Sequence, residues 1–256
     1  MQARLTVLGS GTSMGVPTIG CDCAVCHSSD PHDRRTRPSV LLEYAGKVVL
    51  IDTTPDFREQ AIREHIRQLD AVLYTHAHAD HILGLDDVRP LSFHRPNKIP
   101  LYASAESASL LRNMFRYIFD ANYKFGGLAQ VELKTIEGPF ELFGACFQPV
   151  RVLHGDAEIF GFRFGSAAYL TDHSTVPEES FTLLQDLDIL FLDALRYKPH
   201  PTHSTVEASL AIVERVKPKR AFFTHICHDL PHKATNAALP QNVQLSYDGM
   251  KMEFEI

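Results

Sequence analysis

The segment Thr75-His76-Ala77-His78-Ala79-Asp80-His81 places three imidazoles and one carboxylate within six positions, directly after the apolar run Ala71-Val72-Leu73-Tyr74. Imidazole nitrogen and carboxylate oxygen bind zinc, manganese or iron. Alternate residues of an extended chain project to one side, so His76 and His78 can grip one cation while Asp80 and His81 turn to another. A second group is made of thiols. Cys21-Asp22-Cys23-Ala24-Val25-Cys26 reads C-x-C-x2-C, a spacing natural for thiolates converging on one ion. Three thiolates leave tetrahedral zinc one ligand short, and His228, His27 and Cys227 compete for the fourth place. The chain has five cysteines, an odd number. In a cytosolic chain this favours metal ligands or buried thiols over disulfides, and Cys146 and Cys227 read as buried small hydrophobes.

The elements that must position these groups are short strands. Five apolar runs each end in Asp or His: Val48-Val49-Leu50-Ile51 before Asp52, Val72-Leu73-Tyr74 before His76, Tyr169-Leu170 before Asp172, Ile189-Leu190-Phe191-Leu192 before Asp193, and Phe222-Phe223 before His225. Runs rich in branched and aromatic residues read as strands buried on both faces, and layered α/β folds gather ligands at the carboxyl ends of such strands. Asp52 and Asp193 then read either as acceptors that orient metal-bound histidines or as plain strand-end caps. His203 precedes Ser204-Thr205-Val206-Glu207, a capping signature opening a helix with Val206, Leu210 and Val213 on one face, which fixes its direction.

Other segments carry weaker signals. Gly9-Ser10-Gly11-Thr12-Ser13-Met14-Gly15 follows the strand Arg4-Leu5-Thr6-Val7-Leu8 and reads as an amide-lined anion cradle or as a tight turn flooring a pocket. Its spacing is not that of a dinucleotide loop. Arg34, Arg35 and Arg37 form a basic cluster that either holds a substrate phosphate or is solvated. Asp56 to Leu69 is expected to be one amphipathic helix, with Phe57, Ala61, Ile62, Ile66 and Leu69 as its apolar stripe. Residues 112–127 mix aromatics with arginine and read as a lid or a dimer face. The remaining histidines, His27, His32, His65, His94, His173, His200 and His232, carry no assigned role. Two strand-helix halves meet near Gly138-Pro139.

At 256 residues, 45% hydrophobic and 22% charged, the chain has ordinary globular composition, and one domain over residues 1–256 is expected. Its net charge of -6 disfavours bulk nucleic acid as a partner. No apolar run approaches the roughly 20 residues that span a bilayer, and no signal-peptide pattern opens the chain, so a cytoplasmic protein without a membrane partner is expected.

The first motif resembles the HxHxDH signature of the metallo-beta-lactamase superfamily, an α/β fold built as an alpha-beta-beta-alpha sandwich with two mixed sheets flanked by helices. The resemblance continues through His154 after Phe147–Leu153, Asp172 after Ala168–Thr171, and His225 after Ala221–Thr224. It implies two divalent metals, manganese or zinc. One would take His76, His78, His154 and Asp172, and the other Asp80, His81, Asp172 and His225, with Asp172 bridging. The Gly-x-Gly loop, Gly15-Val16-Pro17, Gly20-Cys21-x-Cys23-x2-Cys26 and Thr224-His225-Ile226-Cys227-His228 together resemble the PhnP-like phosphodiesterases of that superfamily, over Leu5 to Met250. This closer likeness implies a structural zinc on Cys21, Cys23, Cys26 and His228, and a homodimer. It also implies catalytic roles for Asp80 and for His203 as general acid to a leaving alkoxide. Those enzymes carry Asn-His where this chain has Thr202-His203.

The expected function is therefore dinuclear hydrolysis of a small phosphodiester, a cyclic ribose phosphate being the foremost substrate. Three rivals share the fold: hydrolysis of a lactone, β-lactam or thioester, an iron-dependent oxidoreductase, and a silent binding protein. The retained Asp80 and Asp172 argue against the last.

Overall fold

A computed structural model describes residues 1–93, 95–120, 122–123 and 126–256; His94, and Ala121, Lys124 and Phe125 of the 112–127 segment, lie outside the described residues. The strands are β1 Gln2–Gly9, β2 Ser39–Tyr44, β3 Lys47–Ile51, β4 Ala71–Leu73, β5 Ile99–Ala103, β6 Val131–Thr135, β7 Phe140–Leu142, β8 Ala145–His154, β9 Ala157–Phe164, β10 Ala167–Leu170, β11 Ile189–Asp193, β12 Arg220–Thr224, β13 Val243–Leu245 and β14 Lys251–Glu255. The helices are α1 Phe57–Arg63, α2 Ala79–Ile82, α3 Arg89–Ser92, α4 Ala105–Met114, α5 Arg116–Phe119, α6 Val206–Val216 and α7 His232–Ala238.

Two mixed sheets result, ordered β14-β1-β2-β3-β4-β5-β6 and β13-β12-β11-β10-β9-β8-β7. In each, an antiparallel half gives way to a parallel half, at β3/β4 in the first and β10/β11 in the second. Gly138 and Pro139 lie in the connection between the sheets, and β14 returns from the second half to pair with β1. The continuous apolar runs follow from burial of both strand faces. In β3, Val49 and Ile51 face the second sheet beside Phe147, Phe162 and Phe191, whereas Leu50 packs outward with Phe57, Val72 and Leu111 under the helices. On the other side Leu190, Leu192 and Phe223 pack against Val206, Val213 and Val216 of α6. This is the alpha-beta-beta-alpha sandwich the sequence predicts. Among the described residues no helix is long and apolar enough to cross a membrane.

Three expectations are corrected and one open choice is decided. The helix predicted over Asp56 to Leu69 stops at Arg63. His65 takes the left-handed conformation (φ 55°), and the N–H groups of His65 and Ile66 return to the Ile62 and Ala61 carbonyls, a helix-terminating pattern that periodicity does not reveal. Ile62 is thereby left exposed, while Phe57 and Leu69 are buried. Cys146 is exposed, because β8 alternates and its neighbours Ala145 and Phe147 take the core-facing positions.

Of the two readings of the glycine loop, the structure favours the turn, and four of its amides are engaged within the fold. The Ser10, Gly11, Thr12 and Gly15 amides donate to Asp248 Oδ1 and to the Thr36, Ile226 and Thr12 carbonyls. Glycine is needed at position 9 for close backbone approach, since a Cβ there would lie 1.9 Å from the Arg37 carbonyl oxygen. The arginine cluster disperses as well. Arg35 is fully buried, donating to Asp33 Oδ1 and to the Cys227 and Leu230 carbonyls, whereas Arg37 pairs with Asp56 at 2.9 Å and Arg34 is exposed.

Candidate active site and metal centre

The strand ends converge on one edge of the sandwich. The site is built where the chain leaves β3, β4, β8, β10, β11 and β12, and three of the residues there hold a left-handed backbone: Asp52 (φ 67°), Asp172 (φ 56°) and His225 (φ 57°). Such a conformation is uncommon outside glycine, least so for Asp, Asn and His, and it clusters at functional sites. Here it turns the chain sharply just past the strand, so that the side chain stands over the strand end.

Two ligand groups form. His76, His78 and His154 bring donor atoms within 4.8 Å of one another, and so do Asp80, His81, Asp172 and His225. Asp172 Oδ2 lies between the groups, 3.3 Å from His81 Nε2, 3.3 Å from His225 Nε2 and 3.9 Å from His76 Nε2. Its other oxygen accepts from the Thr171 hydroxyl at 2.6 Å. Asp80 Oδ2 stands 3.3 Å from His81 Nε2 and 3.6 Å from His225 Nε2.

The unmatched valences test whether these residues suit metal ions. His76 Nε2, Asp80 Oδ2, His81 Nε2 and His225 Nε2 are buried without a hydrogen-bond partner. Buried polar atoms are normally satisfied, so several orphans aimed at one volume imply a ligand there. On three of the candidate ligand histidines the opposite ring nitrogen is tied down, whereas His225 Nδ1 has no hydrogen-bond partner, Asp193 Oδ2 lying 3.7 Å away. His81 Nδ1 lies 2.8 Å from Asp52 Oδ2, His154 Nδ1 donates to the Thr202 carbonyl at 2.8 Å, and His76 Nδ1 meets the Thr75 hydroxyl at 3.1 Å. Such outer contacts fix the tautomer that presents Nε2 to a metal. The donor set fits two divalent cations.

Electrostatics agree. Burial penalises ionisation throughout, yet His225 and His81 hold the Asp172 carboxyl well below its usual range. Burial likewise opposes the His81 cation, but Asp172, Asp80 and Asp52 outweigh it and raise its pKa well above that of a free imidazole. His225 is raised to about 9 for the same reason, burial being overcome by Asp172 and Asp80. The buried carboxylates thus draw positive charge into the site, which is the requirement a divalent cation meets.

His203 stands beside both groups. Its ring lies 4.7 Å from that of His154 and stacks on His225 at 4.6 Å, and Nδ1 meets the fully buried Asp193 Oδ2 at 2.7 Å. Thr205 caps α6 by accepting from the Ala208 amide, and this anchors the loop that carries His203. Burial raises the Asp193 pKa well above the carboxylate range, Asp172 adding to it. Burial, then His225, lowers that of His203 to about 4. With Nδ1 engaged by Asp193, Nε2 is the ring nitrogen left to carry a proton toward the site. Of the two strand-end aspartates, Asp52 thus contacts a candidate ligand and Asp193 contacts His203.

The thiols converge at a distance in sequence but next to this site. Cys21, Cys23 and Cys26 Sγ lie 3.1, 3.6 and 3.4 Å from His228 Nδ1. Of the three competitors His228 is the one brought in; His27 lies at the surface 3.3 Å from Asp22, and the Cys227 sulfur accepts from the Asp229 amide. The Cys26 amide bond to Cys23 Sγ leads in drawing that thiol down to about 7, and burial pushes Cys26 up to about 11. Three sulfurs and one imidazole nitrogen make a closed tetrahedral set suited to zinc. With Arg35, it pins residues 15–35 to the His225–Leu230 turn. Replacing Cys23 with Ala is expected to remove one zinc equivalent and lower the melting temperature by about 5–10 °C. Full zinc content and unchanged melting in that variant would dismiss the structural site.

Sequence reading missed the mouth. Glu106, Ser107 and Leu110 of α4, with Glu158 and Ile159, line a cavity of about 80 Å³ together with His76, His78 and His154. The one local signal is Ser104, which caps α4 through the Ser107 amide. The Thr202 carbonyl was also invisible, because a backbone acceptor leaves no side-chain signature.

Comparison with known proteins gives the site its context. The model of the Beta-lactamase superfamily domain matches residues 47–226. A crystal structure of a diphosphatase from the PhnP family superposes with a TM-score of 0.94 at 62% identity, covering 99% of this chain and 98% of that one. An octanoyltransferase of Porphyromonas gingivalis is 38% identical over 253 residues, 97% of this chain and 51% of that protein. A ribonuclease Z of Bradyrhizobium diazoefficiens is 31% identical over 150 residues, 55% of this chain and 48% of the relative. The chain spans about half the length of these curated relatives.

Proposed function

Since the chain belongs to the beta-lactamase superfamily, we propose that it is a dinuclear metal-dependent hydrolase of a small phosphodiester, a cyclic ribose phosphate being the foremost candidate. The observation that carries this reading is the Asp193–His203 pair beside the seven converged ligands. A proton donor held there serves a basic leaving group. The 62% identity to a PhnP-family diphosphatase and the ribonuclease Z relatives support attack at phosphorus.

In this proposal His76, His78, His154 and Asp172 hold one cation and Asp80, His81, Asp172 and His225 the other, manganese or zinc, while zinc fills the Cys21, Cys23, Cys26 and His228 set. The active-site pair would supply Lewis acidity, making water a nucleophile at neutral pH and neutralising charge that develops on the phosphoryl group. The residues do the rest. Asp52 and the Thr202 carbonyl keep His81 and His154 aimed. Asp80 stays ionised, because His81 and His225 outweigh the burial that opposes it, and so serves as an acceptor orienting the attacking water. His203, its Nδ1 engaged by Asp193, gives its Nε2 proton to the departing oxygen.

The partner proposed is a small molecule. Glu106 and Glu158 at the mouth repel a polyanion, in keeping with the net charge of -6. A homodimer belongs to the proposal too. The exposed Phe93, Met114 and Tyr117 offer it apolar surface, and Tyr117 bonds Asp86 across these segments.

The 62% identity to a diphosphatase favours a second reading, cleavage of a phosphoanhydride. Steady-state assays with ribose cyclic phosphates, diphosphates, lactones, thioesters and long RNA, in manganese and in zinc, separate the readings. The cyclic phosphates are expected to be turned over fastest. Faster diphosphate cleavage moves the assignment to the second reading. Efficient lactone or thioester turnover without phosphodiesterase activity in either metal would overturn both.

A further inference from the structure

Thr202 joins two histidines that sequence treats as unrelated. Its carbonyl holds the Nδ1–H of His154, and on its other side both its amide and its hydroxyl lie against His200 Nδ1, at 3.3 and 3.2 Å. A backbone N–H can only donate, so His200 Nδ1 is an acceptor and the ring proton is on Nε2. This geometry is braced from two directions. Gly155 (φ 62°) comes so close that a Cβ there would sit 3.0 Å from Thr202 Cγ2, and Arg196 donates to the Lys198 and Pro199 carbonyls at 3.1 and 3.0 Å. The partly buried His200 ring is 5.0 Å from that of His203, and its Nε2 has no partner among the described residues. Burial, then His203 and Arg196, lower the His200 pKa, in keeping with a neutral ring.

A fixed neutral donor beside a proton donor has a definite use. The oxygen that His203 protonates belongs, in a sugar, to a carbon whose neighbour carries another oxygen, whereas an aryl leaving group offers none there. We propose that His200 is a substrate-binding residue whose Nε2–H donates to a sugar oxygen adjacent to the leaving oxygen, favouring polyhydroxylated over aryl leaving groups. Thr202, acting through His200, is a positioning residue. This inference rests on the phosphodiesterase reading of the same site.

The test measures kcat and KM for the intact metal-loaded enzyme and its His200→Ala and His200→Gln variants, on a ribose cyclic phosphate and on bis(4-nitrophenyl) phosphate. One neutral hydrogen bond is worth roughly 3- to 10-fold in binding. His200→Ala should raise KM for the sugar substrate by about that factor with kcat within about twofold, and raise KM for the aryl diester markedly less. His200→Gln, which keeps a donor near the Nε2 position, should recover most of the loss. An unchanged KM for the sugar substrate, or equal losses on both substrates, overturns the role of His200 while the phosphodiesterase reading stands. A wild-type enzyme inactive on both diesters removes that reading, and this inference with it.

Discussion

Asp172→Asn is expected to lower turnover by roughly 10³-fold or more while leaving one equivalent of zinc on the thiolate site. Asp172 Oδ2 is the atom that faces both ligand groups, within 3.3 Å of His81 and His225 and 3.9 Å of His76. An amide keeps the shape but removes the negative charge that two cations would share. Asparagine also tolerates the left-handed backbone at this position (φ 56°), so the substitution separates charge from strain in a way that alanine would not. Metal analysis and melting temperature complete the test. A variant that retains its active-site metal and full activity would show that Asp172 bridges nothing, and loss of all metal with unfolding would show that the two centres are not independent.

The parts of this site legible in sequence are those in which one residue type has one use. An imidazole or carboxylate at the end of a buried apolar run has few reasons to be there other than coordination or capping, and His76, Asp172 and His225 were found that way. Asp52 and Asp193 remained ambiguous, because capping and orienting leave the same residue at the same place. In the structure each does both: Oδ2 of Asp52 and of Asp193 meets His81 and His203, while Oδ1 accepts from the Thr75 and Leu195 amides. The thiolates were readable by density, but their fourth partner was not fixed by spacing: His27, Cys227 and His228 differ only in how residues 225–230 fold back onto the loop, and buried Arg35 holds that fold.

What failed had a physical reason in each case. The stripe continuing to Leu69 hid the helix stop at His65, since termination depends on one residue adopting positive φ and not on hydrophobicity. The arginines looked like one patch because sequence cannot show that Arg35 points inward between Asp33 and two carbonyls while Arg37 pairs with Asp56. The amides of Ser10, Gly11 and Thr12 in the glycine loop are taken by Asp248 and by the distant Thr36 and Ile226 carbonyls. Long-range polar pairing is what a one-dimensional reading lacks. The same limit hid Thr202, on which the orientation of His154 and His200 depends.

The role of His203 can be tested through the leaving group, which a merely structural histidine would not sense. A sugar alkoxide is strongly basic and needs a proton as it departs, so loss of a positioned acid costs roughly 10²- to 10⁴-fold in rate. A nitrophenolate leaves unaided. His203→Ala is therefore expected to reduce turnover of a ribose cyclic phosphate by that factor and largely to spare bis(4-nitrophenyl) phosphate, with both active-site metals still bound. Asp193 supplies a control, because its carboxylate sits on His203 Nδ1 at 2.7 Å but 3.7 Å from His225 Nδ1, outside hydrogen-bond range. Asp193→Asn should reproduce the substrate selectivity of the defect in weaker form. Equal loss on both substrates after His203→Ala would place the residue in metal binding or folding, and no loss on either would remove it from the reaction.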